Sequence, residues 1–174
     1  MRHIFLPLIL LILVALEGVA LDILPSSLLD SNLMITPHWV LMFLVLIAIF
    51  YDRQNSYYAI MYAFIFGLLI DIAYTGILGV YMFTYAVVIY VILELRKMLH
   101  SNIYSALLFG IISITIAELI INVIYYVVGI MNTTWTDYFI YRLIPSVLAN
   151  AIFILILYPI FAKRLEKWKN TQIK

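Results

Sequence analysis

Apolar runs near residues 4–22, 38–51, 57–73, 78–94, 103–128 and 142–162 follow one another along almost the whole chain, cut apart by charge clusters, prolines and glycines. A membrane-crossing helix needs roughly 20 apolar residues. The pattern therefore predicts an all-α, polytopic integral membrane protein with about six transmembrane helices. Of the 174 residues, 67% are hydrophobic and 11% charged, against roughly a quarter charged in a soluble domain. A water-soluble fold of this length has nowhere to hide so much apolar surface. Residues 1–162 read as one transmembrane domain and 163–174 as a basic cytoplasmic tail, with no soluble domain to carry separate chemistry.

The runs at 38–51 and 57–73 are short, so they stand nearly upright, begin at the interface, or form a hairpin that does not fully cross. Charge placement favours two crossings. With the amino terminus cytoplasmic, the inside segments hold Arg2, Arg53, Arg96, Lys97 and the tail cations Lys163, Arg164, Lys167, Lys169 and Lys174, leaving Arg142 near the outside. That asymmetry predicts an even number of spans and both termini inside. Met1 to Leu24 reads as a first span rather than a cleaved leader, although Gly18-Val19-Ala20 imitates a processing site. Thr36-Pro37 before Trp39 has the form of a helix start, with a hydroxyl able to cap free backbone donors and a proline whose missing N–H costs nothing there. Trp39, Tyr74 and Trp135 fall at predicted outer edges as interfacial anchors.

Ionisable residues within the spans are Glu17, Asp71, Glu94, Glu118 and Arg142, each costly enough in hydrocarbon to require a partner or water. Glu118 is the deepest, and Thr115, Glu118 and Asn122 share one helical face. Asn150 lies roughly 12 Å below Arg142 on the last span, within reach of Glu118. These groups form either interhelical glue, the favoured reading, or a buried polar site that a ligand or partner engages. Arg142 has Glu17 and Asp71 as candidate counter-ions, which would make a registry device; the alternative leaves it in water at the headgroups. The glycines of the stretch Gly67 to Tyr81, namely Gly67, Gly76 and Gly79, permit a tight outer turn and close helix approach, and Asp71 is placed to cap or pair at that turn.

Enzyme readings find little support. The absence of cysteine excludes disulfides, thiolate metal sites and thiol catalysis. His3, His38 and His100 sit at predicted membrane edges on different segments, and no nucleophile-elbow serine or zinc-binding His-Glu-x-x-His pattern occurs. The chain is read as a non-enzyme with no cofactor or metal, contacting membrane lipid and lacking a nucleic-acid-binding basic face. The tail, with five basic residues against Glu166 alone, fixes topology, touches anionic lipid or docks a cytoplasmic partner.

Gly67-x3-Asp71 with Gly76 and Leu78-Gly79, Glu118-Leu119, and the run from Arg142 through Pro145 and Ser146 to Asn150, leading to Tyr158-Pro159, resemble the bacterial rod-shape-determining MreD family over nearly the whole chain. The resemblance implies a non-catalytic component of the cell-elongation machinery in the bacterial cytoplasmic membrane, organising peptidoglycan synthesis with MreC, the actin-like MreB filament and cell-wall synthases. The family is also similar in architecture to substrate-binding S components of energy-coupling-factor vitamin transporters, which makes such a subunit the alternative. Those subunits commonly present small residues four apart on the first helix, whereas Ala15, Gly18 and Ala20 fall here at offsets of three and two. The outer loop 23–37, with Pro25, Ser26, Ser27 and Asp30, specifies no vitamin.

Overall fold

The computed structural model describes residues 4–23, 33–53, 56–131 and 134–171. Arg2, His3, Lys174 and the loop residues Pro25, Ser26, Ser27 and Asp30 lie outside them. Among the described residues the fold is all helical: α1 (Phe5–Ile23), α2 (Trp39–Tyr51), α3 (Tyr58–Tyr74), α4 (Val80–Leu95), α5 (Ile103–Val127) and α6 (Trp135–Thr171). Two of these, α5 and α6, are long and apolar enough to cross a bilayer. The apolar stretches of α1, α2 and α3 are shorter.

The core is built around α2. Its sequence carries no polar side chain before Tyr51, which suits a helix enclosed on every side, and every residue from Val40 to Tyr51 is buried. Helices α1, α3, α4, α5 and α6 all touch it. At 1.5 Å per residue α2 is only about 20 Å long, and the residues flanking it, His38 and Asp52, are 0% and 1% exposed. Its free terminal N–H and C=O groups therefore need protein partners in place of water.

Those partners come from other helices. At the amino end, the Glu17 carboxylate of α1 accepts the Val40 N–H at 3.0 Å, and Asn150 Oδ1 of α6 accepts the His38 N–H at 2.8 Å. Thr36 does not cap α2 as the sequence suggested; the N-cap residue is His38, and its own side chain makes no capping bond. At the carboxyl end, the Arg96 guanidinium, just past α4, donates to the carbonyls of Ala48, Asp52 and Arg53. An acid at the positive end of the helix dipole and a base at the negative end are each on the favourable side.

Helices α3 and α4 form a tight hairpin. Gly67 is where their backbones meet: a Cβ there would lie 2.7 Å from Met82 Cα and 2.8 Å from the Tyr81 carbonyl oxygen. Gly79 takes φ +99° as the residue before α4, a conformation that glycine alone adopts cheaply. Gly76 faces open space, so it mediates no close approach. Asp71, fully buried, caps α4: its carboxylate accepts the N–H groups of Tyr81 at 2.9 Å, Gly79 at 2.9 Å and Met82 at 3.1 Å.

The last helix begins at Trp135, well before the sequence-based start at 142, and runs unbroken through the basic segment to Thr171. Its first turns include a π-helical stretch, Phe139–Leu143, that contains Arg142.

Candidate functional site

Starting α6 at Trp135 sinks Arg142 roughly 10 Å from the helix end. Helix α5 ends at Val127, nine residues after Glu118, so the two charges come level across the α5–α6 contact. Arg142 Nε donates to Glu118 Oε2 at 2.9 Å; the side chains are 12% and 0% exposed. The arginine therefore neither lies in water nor pairs with Glu17 or Asp71, which are spent on the amino ends of α2 and α4. A buried pair of opposite charges brings little net charge into the core, and its remaining lone pairs need further donors.

His38 supplies one. Its Nε2 lies 3.0 Å from Glu118 Oε1, and its Nδ1 lies 2.8 Å from the Tyr85 hydroxyl of α4. A carboxylate only accepts, so a proton belongs on Nε2, and Nδ1 shares the second bond with the Tyr85 hydroxyl. The Tyr138 hydroxyl of α6 donates to Glu118 Oε2 at 3.4 Å. Glu118 is thus met by three groups from two parts of the chain, the imidazole before α2 and the phenol and guanidinium at the start of α6.

His38 also joins this centre to a second set of bonds. The irregular segment 33–38 leading into α2 lies along α6, where Ser146 and Asn150, one helical turn apart, read its backbone. Ser146 Oγ accepts the Thr36 N–H at 2.9 Å, while Asn150 Nδ2 donates to the Thr36 carbonyl at 2.9 Å as its Oδ1 holds the His38 N–H. Pro145 contributes by what it lacks. With no N–H to give to the carbonyl of Tyr141 four residues back, it leaves that oxygen free, and the Met34 N–H takes it at 2.8 Å.

Glu118 and Asn150 consequently meet through His38 rather than directly. Asn122 is buried on the same face of α5 but joins none of these bonds. Gly67, Asp71 and Gly79 belong to the separate α3–α4 hairpin. His38, read from sequence as an edge residue, is the junction of the network and 0% exposed. The one sequence signal for it was position: it directly precedes a helix without polar residues, at the point where orphan N–H groups must be met. Chemically, the assembly is a closed set of donors and acceptors that fixes α2 and its entry segment against α4, α5 and α6. No group of three or more His, Asp or Glu side chains suited to a metal ion occurs among the described residues.

A family model described as rod shape-determining protein MreD matches residues 1–168. A rod shape-determining protein MreD of Bacillus subtilis (strain 168) is 28% identical over 163 residues, covering 90% of this chain and 90% of the relative. No solved structure matches the chain.

Proposed function

The chain belongs to the MreD family of rod shape-determining proteins, and from that premise we propose that it is a six-span scaffold of the bacterial cytoplasmic membrane, both termini inside. In this reading residues 1–162 form the transmembrane unit and 163–174 the cytoplasmic end. The scaffold holds MreC, MreB and cell-wall synthases in one assembly through its helix surfaces and short loops, without chemistry of its own. Membership makes it a rod-shape-determining membrane component; the span count, orientation and partners are the proposal.

The observation that carries this reading is the way in which the buried ionisable groups are used. Glu17, Asp71, Glu118, Arg142 and Arg96 are each engaged in capping a helix end or in pairing. Such a core favours one helix arrangement over near alternatives, because any shift leaves a buried polar group without its partner. A fixed bundle with an apolar exterior suits a protein whose task is to be recognised by neighbours in the membrane. Within it, Gly67, Gly79 and Asp71 set the α3–α4 hairpin, while Glu118, Arg142 and Asn150 set the position of α2 and its entry segment. Gly76, which faces open space, is a candidate for contact with partners, while the buried Asn122 belongs to the packing of α5.

The test is to supply Glu118→Gln or Asp71→Asn protein to cells depleted of the native copy and to score membrane abundance beside cell shape. Rounded cells at normal abundance support a recognised arrangement. Normal shape with both variants removes these residues from the function, and loss of the protein reduces them to folding.

A further inference from the structure

At the end of the bundle where α2 stops, an open cleft of about 320 Å³ lies between the α4–α5 connection and the last turns of α6. Its polar lining includes Arg96, Lys97, His100, Ser101 and Lys169, and Ile49, Met98 and Leu99 supply apolar walls. Lys97 is engaged with Glu94 at 2.7 Å. The other cations, Arg96 and Lys169, are in no ion pair among the described residues. Arg96 donates only to backbone carbonyls, and no carboxylate lies within ion-pair distance of Arg96 or Lys169 among the described residues. Asp52, the acid in the lining, is turned toward the start of α3, where its carboxylate accepts from Ser56 and from the Ala59 N–H at 2.9 Å. Nearby Arg53 keeps a buried Nη2 with no hydrogen-bond partner.

Like charges brought together without a counter-ion oppose one another. Burial, and then the repulsion of Arg96, pull the Lys169 ammonium below the ordinary lysine range, with Arg53 adding to the effect. Glu166 and Asp52 work against this from a distance. An anion seated in the cleft would relieve the repulsion and supply acceptors to guanidinium and ammonium donors together. The apolar walls beside it, with Met98 81% and Leu99 44% exposed, suit the upper part of an acyl chain.

We propose that this cleft is a binding site for a phosphate group, presented by an anionic membrane lipid whose headgroup enters between Arg96 and Lys169 while its chains lie along Met98 and Leu99. Occupancy would tie the α4–α5 connection to the end of α6 and make the basic end of the protein a lipid-specific contact, more selective than general attraction to a charged surface.

The test uses the full chain purified in mild detergent. Unfolding temperature and lipid retention in native mass spectrometry are followed while phosphatidylglycerol, phosphatidylcholine or inorganic phosphate is added. The site predicts saturable stabilisation by phosphatidylglycerol over phosphatidylcholine. Lys169→Gln should weaken it about tenfold, whereas Lys163→Gln, an exposed position on the same helix with the same change in charge, should leave it unaltered. Stabilisation by inorganic phosphate at least as strong as by lipid would keep the phosphate site and identify a free anion as its occupant. Equal loss in both lysine variants would overturn the proposal in favour of diffuse attraction to the tail. So would equal stabilisation by the two lipids with no effect of phosphate.

Discussion

Replacing Glu118 by leucine strands a guanidinium. Arg142 is 12% exposed and has Glu118 as its ion-pair partner, at 2.9 Å, so removing the carboxylate leaves a mostly buried cation unanswered at a cost of about 3–5 kcal/mol. Arg142→Leu removes the charged partner of a carboxylate that is 0% exposed but leaves it His38 and Tyr138, so the loss is that of one charge-assisted hydrogen bond, about 1.5–3 kcal/mol. Removing both charges together leaves an apolar pair, with the buried His38 Nε2–H losing its acceptor as the main remaining cost, about 1–3 kcal/mol. The two single losses add to roughly 4.5–8 kcal/mol, so the double variant should recover at least about 1.5 kcal/mol of that sum. The assay is a double-mutant cycle on purified protein in mild detergent, following unfolding through tryptophan fluorescence. Trp39 is a suitable reporter, since it starts α2 and stacks on Phe153 with ring centroids 4.7 Å apart. Two cheap single substitutions, or a double variant as damaged as the sum, would refute the view that this pair is coupled and buried.

Other perturbations address separate joints. Gly67→Val places a side chain against the backbone of Met82 and should cost about 1–3 kcal/mol by forcing α3 and α4 apart. The same substitution at Gly76, which faces open space, should cost far less, as thermal unfolding of the two variants would show. Asp71→Asn leaves one carbonyl oxygen for three N–H donors and should destabilise by about 1–2 kcal/mol, with hydrogen exchange rising first at Gly79, Tyr81 and Met82. Arg96→Ala frees the carbonyls of Ala48, Asp52 and Arg53; faster exchange should be confined to the end of α2 and the start of α3, and uniform loosening of the bundle would contradict the capping role.

What the sequence made legible follows from what is local. The breaks between helices are written in prolines, glycines and charge clusters, and Asp71 so close to a glycine-bearing turn is recognisable as a cap because donor and acceptor lie within eleven residues. The long-range pairings were not legible. Arg142 pairs with Glu118 rather than with Glu17, Asp71 or headgroup water because the last helix starts before 142; the polar and aromatic residues of Trp135 to Tyr141 resemble an interface, yet they wind into its first turns. His38 read as an edge residue because histidine before an apolar run usually marks a boundary. In this fold the boundary itself is internal, since α2 is enclosed at both ends as well as around its sides. A helix without polar side chains signals such enclosure in a soluble protein, but in a membrane protein the lipid-facing helices look the same.

The claim that a fixed bundle serves as a platform for the elongation machinery is tested most directly by affinity purification of the tagged, full-length protein from its native membrane in mild detergent, with co-purifying proteins identified by mass spectrometry. The account predicts MreC and peptidoglycan synthases in the eluate. An intact, monodisperse protein that brings down neither, or that brings down an ATP-hydrolysing transport module instead, would contradict it.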